Sequence, residues 1–308
     1  MKTNIAATAL LTTVGGLAFS HAAPEPESQL DAKLEETTIL ANRGLTNLKK
    51  VGSSVTVFDA SELKKSGIFH IDGALKFVPG VISESTGGQN GTISSLFLRG
   101  TATRHAHLRV DGMRLSGANI SSGNFLGGSG ISGLSRIEIL RGPQSALYGG
   151  DSIGGVIGLY SGRGSGDPSG RIFLEAGSHQ SHRATLDLQG ELDRLAYAIS
   201  IGYQQTDNDL PNNRFIQYGQ SIRLDYAASD SLNIGLTLRS FQSDLRRPNY
   251  ADPNFARAAD DRTESTLATI FTTLRVNEIL TSKLTLGIYR EDYHADTFAL
   301  PRYYETNG

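Results

Sequence analysis

The sequence predicts an α+β domain followed by an antiparallel transmembrane β-barrel, incomplete in this chain at about seven strands. Three observations carry that expectation. Runs of about ten residues alternate apolar and polar side chains between 172 and 292, and a tilted membrane strand needs that length. The connections between them alternate between short turns and long polar loops, as in outer-membrane barrels. The 35 glycines among 308 residues exceed the average usage of about 7% and favour turns and close backbone approach over helix.

The chain opens with Lys2, a mostly apolar run from Ile5 to Phe19, and then Ser20-His21-Ala22-Ala23. A charged start, a short apolar core and small residues predict a secretory signal over residues 1–22, cleaved after Ala22. Thr12, Thr13, Gly15 and Gly16 interrupt the run, which is shorter than the ~20 residues of a membrane-spanning helix. Residues 23–50 read as a polar, acidic tether. Within it "ETTILANR", residues 36–43, is an extended β-prone patch that could equally be the first strand of the next domain. The absence of cysteine excludes disulfides and thiolate metal sites. With 29 basic against 31 acidic residues, no basic stripe invites nucleic acid.

Residues 51–165 predict the compact α+β domain. Strands are expected at Ser54–Phe58, Ser95–Arg99, His107–Val110, Arg136–Leu140 and Val156–Tyr160. Asp59 or Ser61 caps a short helix ending at Gly67, and a second helix, Asp72–Phe77, stops at Pro79-Gly80. The connections "STGGQNGTIS" and "LSGANISSGNFLGGSG" are long glycine-rich loops, and such loops tend to carry function.

From residue 170 to 308 the period changes to two. Leu195, Tyr197, Ile199, Ile201 and Tyr203 alternate with small or polar residues, and Leu232, Ile234, Leu236 and Leu238 do the same. Arg183, Asp187, Arg223, Asp225 and Arg239 fall on the opposite faces, which suits a wet or filled lumen. Seven strands are fewer than the smallest bacterial barrels of about eight, so the chain reads as a fragment or a product cut short.

"ALYGGDSIGG", residues 146–155, imitates a hydrolase nucleophile through Gly150-Asp151-Ser152. Ile153 breaks both the Gly-Asp-Ser-Gly-Gly and the Gly-x-Ser-x-Gly patterns, and no triad signature surrounds His105 or His107. No Gly-x4-Gly-Lys-Ser/Thr phosphate loop occurs either. The stretch reads better as a tight turn, with Tyr148 and Ile153 as packing anchors and Asp151 capping backbone amides.

Three ordered segments carry a resemblance: "SLFLRGT" (95–101), "LRVDGMRLSG" (108–117) and "RIEILRGPQSALYGGDSIGGVI" (136–157). In order and spacing they resemble the plug signatures of TonB-dependent outer-membrane receptors, and within them the cobalamin transporter group. "ETTILANR" resembles the TonB box. The resemblance implies that Glu36, Thr37, Thr38, Ile39 and Leu40 add a strand to TonB, which is energised by its inner-membrane complex. It implies a plug that fills the lumen, with outward loops that hold the ligand through Gln89, Asn90, Ser94, Ser95, Ser116, Asn119, Ser121 and Ser122. Arg99 and Arg141 would face carboxylates of the inner wall, on strands beyond Gly308. Asp207, Asp209, Asp244 and Asp252 would supply calcium ligands in two outer loops, where calcium wants six to eight oxygens; no other cofactor is expected.

The function expected from the resemblance is energy-coupled uptake of cobalamin, or of a ferric siderophore, by a non-enzymatic protein. It would sit among outer-membrane lipid with plug and tether facing the periplasm. Two other classes stand beside it: a passive barrel surface protein or adhesin, which needs no TonB box, and a secreted serine hydrolase using Ser152.

Overall fold

The computed structural model describes residues 37–42, 46–85, 91–115, 120–249, 252–254, 257–278 and 280–297. The expected signal, most of the tether, Glu36, Gln89, Asn90, Ser116 and Asn119 lie outside the described residues, as does the side chain of Ser121.

Two short strands, β1 (Thr37–Thr38) and β2 (Thr46–Asn47), pair antiparallel at the start. The α+β domain follows with β3 (Ser54–Asp59), β4 (Val81–Ser85), β5 (Ser94–Leu98), β6 (Ala106–Val110), β7 (Met113–Arg114), β8 (Leu134–Arg141) and β9 (Gly155–Ser161). Five of these form one sheet in the order β3-β8-β9-β6-β7, and β4 and β5 make a separate hairpin. β9 runs parallel to β6 and antiparallel to β8. Ile137, Ile139 and Leu140 of β8 are all buried, so this central strand is covered on both faces and has lost the two-residue alternation.

Helix α1 (Ala60–Lys65) starts where expected, because the Asp59 carboxylate accepts from the Ser61 and Glu62 amides. Helix α2 spans Ile71–Leu75, and Gly80 at φ +76° turns the chain into β4. The second glycine-rich stretch departs from expectation. Its central part is not loop but a nine-residue helix, α3 (Ile120–Gly128). Glycine and serine disfavour helix in isolation, yet here they let the helix lie almost on the β5 backbone while Phe125 and Leu126 enter the core. A Cβ on Gly127 would stand 1.8 Å from the Thr92 carbonyl oxygen, which belongs to rigid backbone. Gly127→Ala is therefore expected to destabilise the domain by about 1–3 kcal/mol, read as a lower urea midpoint; an unchanged midpoint would mean the contact is slack. A final short helix, α4, covers Ser145–Tyr148.

The rest of the chain is one antiparallel sheet of seven strands in sequence order. They are β10 (Ser169–Gly177), β11 (Ser181–Leu192), β12 (Leu195–Thr206), β13 (Phe215–Ala227), β14 (Leu232–Pro248), β15 (Arg257–Arg275) and β16 (Thr281–Thr297). The sheet is not closed: β10 and β16 are its edges. Its two faces are inverted relative to a soluble sheet. Leu286 and Ile288 are 59% and 73% exposed, whereas Thr237 and Arg239, on the other face, are 2% and 6% exposed. One row of paired residues, Leu224, Leu236, Ile270 and Leu286, crosses the outer face from strand to strand. An apolar face open to the surroundings and a polar face packed inward is the pattern of a membrane barrel wall.

All the wall strands but the nine-residue β10 are longer than the ten residues expected, reaching 19 in β15. Within the polar segment 243–262, expected as a loop, residues 243–248 and 257–262 are strand. Beyond the apolar band the ladder no longer needs hydrophobic alternation, and cross-strand charge pairs sustain it: Asp244 with Arg262 at 2.6 Å and Arg247 with Asp261 at 2.8 Å.

The α+β domain packs against the polar face of this wall. Arg223 donates to the Ser161 carbonyl at 3.0 Å and Arg239 to the Ser132 carbonyl at 2.8 Å. The Gln217 amide donates to the Gly128 carbonyl, and Lys64 pairs with Asp187 at 3.4 Å. All five lumen-side residues anticipated from the alternation make polar contacts: Arg183 pairs with Glu175, and Asp225 with Arg223.

Candidate functional site

The segment 37–40 is fastened to β8, an interior strand of the five-stranded sheet. Glu138 on β8 has its side chain fully buried, and its carboxylate accepts from the Thr38 hydroxyl at 2.7 Å. The same carboxylate takes the amides of Ile39 and Leu40, both at 3.0 Å, and pairs with Arg136 Nε at 2.8 Å. These donors satisfy the hydrogen-bonding capacity of the buried carboxylate. On the far side the Tyr148 hydroxyl donates to the Leu40 carbonyl at 2.6 Å. The Leu40 side chain fills a pocket of Leu140, Tyr148 and Val156, and Gly158 leaves the room for it. Burial and the neighbouring Glu138 charge push the Tyr160 hydroxyl to a higher pKa, so it stays neutral beside the clasp.

Neither Glu138 nor the Tyr148 hydroxyl bond was legible as part of this site. The signal was there: Arg136 and Glu138 sit two apart on one face of a largely buried strand, and buried charges require partners.

Arg99 and Arg141 lie close together at the turn following β5 and the end of β8. Arg99 adopts φ +49°, and its guanidinium occupies the space that a Cβ on Gly142 would need, 2.9 Å away. Arg141 donates to the Pro79 carbonyl and, at 3.0 Å, to the Thr56 hydroxyl, while its Nε has no partner. Partial burial first and the Arg99 charge second lower the Arg141 pKa. Among the described residues these two arginines form no ion pair with a carboxylate.

Of the serines expected at the ligand, Ser94 is wholly buried, and its hydroxyl reaches Asp72 at 3.3 Å and Ser85 at 3.1 Å. Ser122 is buried within α3, and Ser95 is half-buried on β5. The four loop aspartates are dispersed. Asp207 lies 3.9 Å from Arg214, Asp209 is 3.2 Å from His179, Asp244 pairs with Arg262, and Asp252 accepts from the Asn254 amide. Among the described residues no three His, Asp or Glu side chains gather as a metal site.

In the stretch 146–155, Tyr148 is a buried anchor as expected, but Ile153 is half-exposed and packs nothing comparable. Asp151 meets the Arg114 guanidinium rather than backbone amides. Ser152 is buried, and its hydroxyl donates to the Gly149 carbonyl at 2.6 Å, which spends its proton on a turn instead of a general base. A fluorophosphonate probe is expected to leave the protein unlabelled; labelling that disappears in Ser152→Ala would reverse this reading.

His70, at the start of α2, is where the domain meets β12. Its Nε2 lies 2.8 Å from the Gln204 amide nitrogen, its ring packs on Phe215, and its Nδ1 has no hydrogen-bond partner among the described residues. Burial lowers its pKa, against a smaller upward pull from Asp72. A base with a depressed folded-state pKa binds fewer protons folded than unfolded. The contact therefore stabilises fully above the unfolded value of about 6.5 and is lost as pH falls towards the lower folded value. Wild type should lose Tm more steeply than His70→Gln between pH 7 and 5; parallel slopes would contradict this.

Residues 47–156 match the family model of the TonB-dependent Receptor Plug Domain. These residues are a TonB-dependent receptor plug. The chain is 34% identical over 157 residues to the vitamin B12 transporter BtuB of Vibrio vulnificus strain YJ016, an overlap of 51% of this chain and 24% of that protein. It thus spans about a quarter of that relative's length. Among solved structures, the ferripyoverdine receptor FpvA of Pseudomonas aeruginosa aligns with a TM-score of 0.75 at 18% identity, over 86% of this chain and 38% of that one. BauA, the ferric preacinetobactin receptor of Acinetobacter baumannii, aligns with a TM-score of 0.71 at 14% identity, over 85% and 41%. These structural likenesses extend through the wall strands, so plug and wall together have the fold of TonB-dependent receptors.

Proposed function

We propose that this chain is the plug and first wall strands of an outer-membrane transporter that binds a large, scarce ligand at the cell surface. TonB, energised from the inner membrane, pairs with residues 36–40 and pulls the plug to admit the ligand. The observation that carries this reading is the attachment of segment 37–40 to Glu138 on the central plug strand, so that tension on the segment loads the sheet directly. The inverted wall supports placement among outer-membrane lipid. In this reading segment 36–40 belongs on the periplasmic side, and Gln89, Asn90, Ser95, Ser116, Asn119 and Ser121 remain the proposed ligand contacts, whereas Ser94 and Ser122 are buried.

Cobalamin is the preferred ligand, because the relative that is 34% identical over 51% of this chain is a vitamin B12 transporter. A ferric siderophore is the second reading, supported by the fold shared with pyoverdine and preacinetobactin receptors. Titrating the detergent-solubilised protein with cyanocobalamin and, in parallel, with ferripyoverdine separates the two. Submicromolar binding of cyanocobalamin is expected; binding no tighter than millimolar would remove it in favour of the siderophore class.

A further inference from the structure

Arg239 is a buried cation that no neighbouring carboxylate pairs. It is 6% exposed on the inner face of β14, and its side chain reaches the plug through one bond, to the Ser132 carbonyl at 2.8 Å. A guanidinium carries five donors. Among the described residues Arg239 forms no ion pair, and its Nε has no hydrogen-bond partner. Asp111 is the carboxylate whose charge bears on it, but the two Asp111 oxygens are engaged by the Ser161 amide and hydroxyl, both at 2.7 Å. Charge is rarely buried without a counter-charge, because taking an ion out of water is costly.

The same guanidinium lines a cavity of about 40 Å³ between plug and wall, room for about three water-sized spheres. The wall side is open because Gly202 and Gly219, a cross-strand pair on β12 and β13, present no side chain to the lumen. A Cβ on Gly219 would meet nothing closer than 3.9 Å, and one on Gly202 nothing closer than 3.4 Å. Two hydroxyls overhang the gap: Ser132 Oγ and Thr185 Oγ1 lie 3.4 and 3.9 Å from that Gly202 position. Arg183 lines the cavity too, but Glu175 already matches its charge. No acidic side chain lines the cavity among the described residues.

We propose that this cavity holds one small monovalent anion, a chloride, which neutralises Arg239 and ties Ser132 of the plug to β11 and β14 of the wall. A spherical ion accepts hydrogen bonds from any direction. That suits an idle guanidinium N–H and two hydroxyls that converge from two wall strands and a plug turn. The site is separate from that of the large transported ligand, since sites for ligands of drug size or more need about 300 Å³ or more. Its effect is on the seam: with the anion bound, the buried charge is balanced and the plug is held more firmly against the wall.

The test compares unfolding of the detergent-solubilised chain in potassium chloride and in potassium gluconate at equal ionic strength. For a site with a Kd of about 10 mM, about 100 mM chloride lowers the unfolding equilibrium constant about tenfold. Arg239→Gln removes the charge. Gly202→Ala/Gly219→Ala fills the gap and leaves Arg239 in place; the added Cβ atoms make only ordinary contacts, so this variant decides the matter if Arg239→Gln does not fold. Salt effects on the protein surface at large act on all three proteins alike, so the site is read as the difference between them. The chloride effect is expected in wild type and to shrink about threefold or more in each folded variant. No chloride effect in wild type, or an equal one in wild type and the double variant, overturns the proposal. Crystals grown in bromide give the direct view. An anomalous peak within hydrogen-bonding reach of Arg239 Nε is expected, and density for water alone in the cavity overturns the ion.

Discussion

Replacing Arg223 by leucine is expected to weaken the plug–wall interface by about 3–5 kcal/mol, the cost of stranding a buried charge. The guanidinium donates twice to the Asp225 carboxylate, at 2.7 and 3.1 Å, and once to the Ser161 carbonyl at the end of plug strand β9. The Asp225 side chain is only 4% exposed. Without Arg223 this buried carboxylate loses its partner, and the Ser161 carbonyl loses a donor. Removing both charges in Arg223→Leu/Asp225→Leu should recover much of the loss, because an apolar pair does not pay the desolvation of ions. Chemical unfolding of the detergent-solubilised protein measures both. A single-variant cost below about 1 kcal/mol, the range of exposed pairs, would mean that water reaches Asp225.

Leu236→Arg tests the other face of the same wall. Leu236 sits in the outer row with Leu224, Ile270 and Leu286, flanked by the row of Ile222, Leu238, Ala268 and Ile288. That places it well inside the apolar band, where an arginine is expected to cost about 2–4 kcal/mol, falling to about 0–1 near the interface. Gln242→Arg is the matched control. It lies on the same strand and face, opposite Tyr218 and Glu264, where the band gives way to charge. Unfolding from phospholipid vesicles should show the large cost at 236 and little at 242. Equal costs would contradict a membrane-facing wall.

The wall was legible because its signal is period two and strictly local. Alternation in Leu195–Tyr203 and Leu232–Leu238 assigned each side chain to a face, and pairing in register then placed every face consistently. Strand length was not legible, since the extensions of β14 and β15 are held by cross-strand pairs such as Asp244–Arg262 that only the register brings together. The plug was legible through motifs more than through propensity. α3 shows why: its glycines and serines spell loop, and only the close approach of Gly127 to Thr92 makes them helix. The site was legible in part. The segment 36–40 stood out as extended and β-prone, yet its partner lies about a hundred residues away on β8 and leaves no local trace. Ser94 reads as a ligand-facing serine in its loop but is turned inward by Asp72, a contact between residues 22 positions apart.

The measurement that bears most directly on the proposed function is uptake of labelled cyanocobalamin by cells that have TonB and no other receptor for it. A full-length receptor containing this chain is compared with the same receptor lacking residues 36–40. Deletion is expected to abolish uptake while surface binding of the label persists, because it leaves the proposed ligand loops in place. Undiminished uptake after deletion would contradict energy coupling through this segment and favour a passive pore.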